Sequence, residues 1–553
     1  MLKYLDSPKK GTKGDDMETI RPHCSAPIGH YVPTGALVNA IKRSFFLGVL
    51  AVASASSFAL AQTLTVGLDV KPKTGDPRLV GSDAHSQYLE ELRFLPLFSF
   101  DENGKTIPVL AESLVWENPK LIKVKVKLGL KFANGKPITP KDVIANYEFL
   151  RNPPANFPPI PRKAILKDVG KIELKGKDEV LFHLTKIDAS LPTNLVIPIL
   201  PEEALKEQPD QLLGKNYESG PFILKSASDQ EWVLTRNDSF VPAGLLTLPK
   251  VKEVVFKIIT DNTTRYSALV KGDLDIVQNS IDADKVALIE KKEAAKLNVS
   301  KRLAMATSSL AFNCKDPILG KEKVRQAIGY ALKVDDVVKY ILQGFGAPAK
   351  GMFPPGFEYS VGELKPLMHD LEASKKLLNE AGYPDPDGDG PKPRFSITIK
   401  TSVNKERVAI SKTIASQLKK VGIEMQVEAL EAQTFLSQVA EGKAQVWVNN
   451  WIGMKDPNHL HFVFHSSQFP PEGGNRGFFK DEEVDTLLEK GKLEVDGAKR
   501  REFYDKAQKI LAAKSPYLHL WHRENYVVHK KNVTGFKMFS DGRYVSLTEV
   551  EKR

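Results

Sequence analysis

Residues 451–465, WIGMKDPNHLHFVFH, set one carboxylate and three histidines among aromatic and aliphatic side chains. His461 and His465 are four apart and meet on one face if the segment is helical. With His459 nearby, that spacing could hold zinc or nickel. Phe462, however, follows His461, where the H-E-x-x-H metalloproteases carry their general base. The alternating apolar positions of HLHFVFH suit a packed segment, so the histidines are expected to pack and hydrogen-bond, with neither metal nor cofactor. Asp456 is the expected functional residue: Pro457 fixes its backbone, and its carboxylate can pair with a ligand amine or accept hydroxyl hydrogen bonds.

Other catalytic patterns fail on their spacing. GLKFANGKP has Pro137 where a phosphate loop needs Ser or Thr. GFGAPAKG follows a helical pattern, not a strand, so it makes no dinucleotide fingerprint. Asp385, Asp387, Asp389 and Gly390 begin like a calcium loop, but its twelfth position is Ser396, not a bidentate Glu. No G-x-S-x-G elbow is present, and Cys314 has no Cys/His context. An enzyme is therefore the weaker class.

The elements around the opening stretch alternate in type. AQVWVNNWIGM alternates as a strand, which places Trp447, Asn449 and Trp451 on one face and Val448 and Asn450 on the other. Trp451, nearest the strand end, is expected to line a ligand pocket, where a flat apolar wall with an N–H donor suits many side chains. TLTVGLDV, IKVKVKLGLKF and EVLFHLT read as strands, and TPKDVIANYEFL as a helix with a Thr cap. RFSITIKT, KERVAISKTIASQLKKVG and IEMQVEAL form a strand–helix–strand unit, the building block of an α/β fold.

A chain of 553 residues exceeds one compact core, and 42% hydrophobic with 27% charged composition reads as globular. The net charge of +11 is scattered and lacks a nucleic-acid motif, so no nucleic-acid partner is expected. Lys42 and Arg43 precede SFFLGVLAVASASSFALA, a secretory signal peptide with cleavage expected near Ala61. The polar residues ahead of it suggest true initiation near Leu37 or Val38. After cleavage no membrane insertion is expected, and Cys314 remains the single thiol, which suits a periplasm.

Eight blocks in order resemble the dipeptide- and oligopeptide-binding group of periplasmic solute-binding proteins of ABC importers, bacterial extracellular solute-binding protein family 5. They include GKTIPVLAESLVWE, LKFANGKPITPKDVIANYEFL, SGPFILKS, TDNTTRYSALVKGDLDI, VRQAIGYALKVDDVV, ASKKLLNEAGY and NRGFFKDEEVDTLLEKG, and they run along nearly all of the chain after residue 61.

The resemblance implies an α/β, two-lobed periplasmic binding protein fold with three structural domains and an inter-lobe cleft. A discontinuous first domain would take 62–100, 206–305 and 523–553, a second 101–205, and a third 306–522, after a leader and signal peptide over 1–61. It also implies a peptide or other small solute as ligand, a membrane permease as partner, and a monomer. In peptide-binding members an Asp shortly after the strand end takes the ligand amine. Counted from Trp451, that position is Met454, and the nearest carboxylate is Asp456. Arg407 stands near where the family often has basic residues. The ligand-binding expectation is thus Asp456, Trp451, Asn449, Met454 and Arg407. A metal-dependent envelope hydrolase, an envelope chaperone, and a nickel- or sugar-type ligand for the same transport fold stay open as alternatives.

Overall fold

The computed structural model describes residues 63–365, 368–388 and 390–553. The expected signal peptide, its cleavage near Ala61 and the leader lie outside the described residues, as does Asp389 of the turn cluster. Among the described residues no helix is long and apolar enough to cross a membrane.

Local chemistry sets the elements. The helix Pro140–Arg151 begins at Thr139, whose backbone N–H donates to Asp142 Oδ2 at 2.8 Å while Asp142 N–H returns to the Thr139 hydroxyl. This reciprocal cap, with proline at the first helical position, uses backbone donors that a helix start otherwise leaves open. The helix Asn262–Lys271 is capped by Asp261 and closed by Gly272 at φ 91°, a left-handed conformation that favours glycine. Strands Phe395–Ser402 and Ile423–Leu430 pair in parallel, with helix Lys405–Lys419 between them in sequence. One expectation is too long: IKVKVKLGLKF forms a strand only over Leu121–Val126, because Gly129 turns the chain at φ 93°.

The main sheet has eleven strands. Its two longest, Leu297–Phe312 and Tyr517–Lys530, lie side by side in the middle and run antiparallel. On one side follow Ile276–Gln278, Thr63–Leu68, Glu253–Ile258, Glu231–Arg236 and Phe222–Ala227. On the other follow Val446–Ile452, Phe395–Ser402 and Ile423–Leu430, and the eleventh strand, Gly346–Pro348, pairs antiparallel with Tyr517–Lys530 off this path. The central pair loses register between Leu303 and Thr307, with Leu303 opposite Glu524 and Thr307 opposite His522.

The buried apolar clusters follow the same division. Leu64, Val66, Phe222, Val254 and Phe256 pack on one side of the irregularity, and Phe312, Ile328, Ile399, Ile414 and Val446 on the other. A separate four-stranded sheet, Ala111–Asn118, Leu121–Val126, Glu179–Leu184 and Val169–Lys175, packs Ile122, Val124 and Phe182 against Val143 and Tyr147 of the capped helix. Full burial of such side chains stabilises by ~1.5–3 kcal/mol each, so each cluster has its own driving force.

Candidate functional site

The strand Val446–Ile452 alternates as expected. Trp447 and Trp451 join a cluster that holds Met454, while Val446 and Val448 join the opposite one. Gly453, at φ 66°, then turns the chain, and its N–H donates to Met305 O at 2.8 Å. Residues 453–462 continue into a cavity of about 680 Å³. Its other walls come from helix Ala84–Arg93, residues 96–100, Arg162 and Ile165, and the segment around Thr193. The cavity thus lies between the second lobe, which supplies 453–462, and the first.

Met454 and Asp456 line this cavity. Both Asp456 oxygens are engaged within the protein: Oδ1 receives Arg500 Nη2 at 2.8 Å and Asn458 N at 2.8 Å, and Oδ2 receives Arg500 Nη1 at 3.2 Å and the Thr193 hydroxyl at 3.2 Å. Burial works against the Arg500 charge, but the Asp456 carboxylate outweighs it and raises its pKa above the ordinary arginine range. Thr193 belongs to the first lobe, so this carboxylate also ties the lobes together. The Ala189 N–H donates to Lys492 O at 3.3 Å, a second tie of the same kind.

Trp451 stands behind the wall, edge-on to His459 at 4.7 Å and to Phe462 at 5.9 Å between ring centroids. His459 and Phe462 reach the cavity themselves. Burial lowers the His459 pKa to about 4, so the ring is neutral at physiological pH. Asn449 is buried in the strand, opposite Ser309, and is not part of the lining. Arg407 is not brought to this cavity either. It sits in the first turn of Lys405–Lys419, where burial and the adjacent Arg523 lower its pKa.

The first-lobe wall holds charges the sequence reading missed. Helix Ala84–Arg93 turns Gln87, Glu90 and Glu91 into the cavity, a spacing of three and four that shares a helix face. Glu90 is 5% exposed and forms an ion pair with Arg162; burial still pushes its carboxyl up to about 7. Glu91 meets the buried Arg543 at 3.5 Å. Arg543 in turn meets Asp541 at 3.1 Å, and Asp541 receives Lys455 from the second lobe at 2.9 Å. Burial opposes the Asp541 charge, yet Arg543 and Lys455 hold its pKa down to about 2. A signal existed: Ser86, Glu90 and Arg93 share one helix stripe with buried leucines on either side, and polar residues on a buried face mark a site or a network.

His461 and His465 do not share a helix face, because the helix His459–Phe464 ends one residue earlier and His465 caps it in extended backbone, but their rings stack at 4.3 Å. Together with Glu489 they place three possible ligand atoms within 4.8 Å of one another. In the observed geometry they form a hydrogen-bonded cluster. His461 Nε2 lies 3.0 Å from Glu489 Oε2, and His465 Nδ1 accepts the Ser467 N–H at 3.0 Å. A cation here would have three protein donors and would have to compete with those bonds.

An inter-lobe cavity closed by paired charges defines a solute-capturing protein, and comparison with known proteins agrees. Residues 105–470 match the model of the bacterial extracellular solute-binding proteins, family 5 (middle region), and the chain belongs to that family. Its members are receptors of periplasmic ABC importers for peptides or related solutes. The glutathione-binding protein GsiB of Escherichia coli (strain K12) is 28% identical over 524 residues, covering 91% of this chain and 98% of GsiB. The oligopeptide-binding protein AppA of Bacillus subtilis, solved with a nonapeptide, is 26% identical with a TM-score of 0.66, covering 89% of this chain and 99% of AppA. HbpA2 of Haemophilus parasuis shares the fold at a TM-score of 0.77 and 22% identity, covering 89% of this chain and all (100%) of HbpA2.

Proposed function

We propose that this chain captures a small zwitterionic peptide or peptide-like solute between its lobes, in the periplasm, and delivers it as a monomer to an ABC permease after cleavage of its signal peptide. The observation that carries the reading is the cavity itself, whose lining mixes Glu90, Glu91 and Asp456 with Arg162 and Lys455. Groups of both signs in a desolvated space suit a ligand that is itself charged at two points. The relatives named for glutathione and for a nonapeptide support peptide chemistry. The volume of about 680 Å³ favours the smaller of the two, since pockets of ~300–1,000 Å³ enclose a ligand of drug size. Met454, His459 and Phe462 supply the apolar wall, backed by Trp451. Asp456 contributes by holding Thr193 and Arg500 in place, and the register break in the central strands is the hinge about which the lobes close.

Mass spectrometry of solute carried through gentle purification, followed by thermal melts with a panel of di- and tripeptides, tests the reading. A binder raises the apparent melting temperature with concentration, because it binds only the folded form. A protein that carries no peptide and melts identically with every member of the panel rules the proposal out.

A further inference from the structure

The polar contacts that cross between the lobes are not equivalent. Thr193 donates to Asp456 at 3.2 Å, yet Asp456 keeps Arg500 and the Asn458 N–H when that bond opens. The bond from Ala189 N–H to Lys492 O is a single backbone contact at 3.3 Å. Lys455 differs. Its ammonium reaches across from the second lobe to lie 2.9 Å from Asp541 Oδ2 and 4.3 Å from the centre of the Phe100 ring. The Asp541 side chain is 9% exposed and Phe100 is buried, so the receiving end is shielded from the solvent that weakens surface salt bridges.

The first lobe builds the socket for this ammonium by itself. Arg543, whose side chain is 1% exposed, donates to Asp541 Oδ1 at 3.1 Å, to Ser99 Oγ at 2.8 Å and to Asp101 O at 3.2 Å, and faces Glu91 at 3.5 Å. The Asp541 carboxylate and the wall segment that carries Phe100 are thereby held in place without Lys455. Charge there is unbalanced, since Asp541 and Glu91 share one guanidinium, and the further cation acting on both is Lys455. Lys455 is fixed on its own side as well. The Gly453 N–H bonds Met305 O at 2.8 Å before it, and Arg500 clamps Asp456 after it.

We infer that Lys455 latches the lobes: it is a tethered ammonium that enters a preformed cation socket of Asp541 and Phe100 and holds the lobes together with charge the protein itself supplies. A carboxylate beside an aromatic face is a general recognition site for an alkylammonium. Here the alkylammonium belongs to the chain. The latch is reversible, because parting the lobes returns Lys455 to water and leaves Asp541 paired with Arg543. A captured solute then adds to a closure already favoured, and its own amine does not meet this socket. The inference goes beyond the receptor reading and holds whichever solute is captured.

Small-angle scattering on the full mature protein, stripped of carried solute, tests it. Lys455→Ala and Lys455→Met, the second of which keeps the stem and deletes the charge, are each expected to show a larger radius of gyration than the wild type. Their closed-to-open ratio should fall at least ~10-fold, the scale of a lost charged hydrogen bond. n-Propylammonium replaces the atoms that the alanine lacks and is expected to return Lys455→Ala to the compact form, whereas 1-propanol is not. Matching circular dichroism confirms that the variants fold. A Lys455→Met protein as compact as the wild type overturns the latch, as does a solute-free wild type as open as the variants. Failure of n-propylammonium to compact Lys455→Ala, or equal compaction by 1-propanol, overturns the cation socket. In each case the receptor reading stands or falls on its own peptide-binding test.

Discussion

Arg500 grips Asp456 through two bonds, Nη2 to Oδ1 at 2.8 Å and Nη1 to Oδ2 at 3.2 Å, with the guanidinium also donating to Gly491 O at 3.2 Å. The carboxylate is thereby fixed at the tip of the second lobe, in the one position from which it also reaches Thr193. Its role in this geometry is to shape the cavity and tie the lobes.

Removing one member of a buried ion pair leaves the other charged and unsatisfied. Arg500→Met is therefore expected to lower stability by about 3–5 kcal/mol, read from urea unfolding of the ligand-free protein. A loss below ~1 kcal/mol would put the pair in the class of surface salt bridges and remove its structural role.

The two tryptophans of the same strand are expected to separate in their effects. Trp447 is 1% exposed within a large cluster, so Trp447→Ala should destabilise by about 3–5 kcal/mol. Trp451 supports His459 and Phe462 from behind, so Trp451→Ala should cost less stability and more peptide affinity. Unchanged affinity in a folded Trp451→Ala protein contradicts that division.

The three histidines of the opening stretch also divide. His459→Ala should weaken peptide binding, whereas His461→Ala with His465→Ala should leave it within ~2-fold, a change of about 0.4 kcal/mol, because their cluster with Glu489 is not part of the cavity lining. Loss of peptide binding in the double variant alone would reverse the assignment.

Stability should fall on mild acidification. Burial lowers His519 to about 3 and His459, His461 and His522 to about 4. Between pH 6.5 and 4 the unfolded chain therefore binds protons that the folded chain refuses, which favours unfolding as pH drops. Glu90 acts in the opposite direction: with its pKa raised to about 7 by burial, against the pull of Arg162 and Arg93 and with Glu91 adding to the rise, it makes folding more favourable as pH falls from 7 to 4.5. Burial raises Glu91 and Glu524 in the same way, so four histidines stand against three glutamates, and the histidines' larger number predicts a lower melting temperature at pH 4.5 than at pH 7.5, measured without ligand. A flat profile refutes the burial assigned to these rings.

Local chemistry made much of the fold legible in the sequence. The Thr139 cap, the Gly272 stop and the strand alternation around Trp447 each report a short-range preference, and each stands where the pattern put it. Glu90 and Arg162 could not be paired that way, because they are 72 positions apart and only the tertiary fold brings them together. The same holds for Asp456. Its position after the strand was readable, but its partner Arg500 lies on a helix whose pattern resembles an ordinary charged surface. Arg407 illustrates the reverse: a helix start was read correctly, while the direction in which the folded chain carries it was not.

The central strands Leu297–Phe312 and Tyr517–Lys530 are paired although more than 200 residues separate them in sequence. The first lobe's sheet is thus interrupted in the chain by the whole second lobe, and Ile276–Gln278 waits for Val527 to His529 to pair with it. Contacts of such long sequence separation form late, after the loop-closure entropy has been overcome. During synthesis, the emerging chain therefore cannot complete its first sheet until residues 527–529 are available. The order of the strands along the chain thus delays closure of the first sheet until the second lobe has been made.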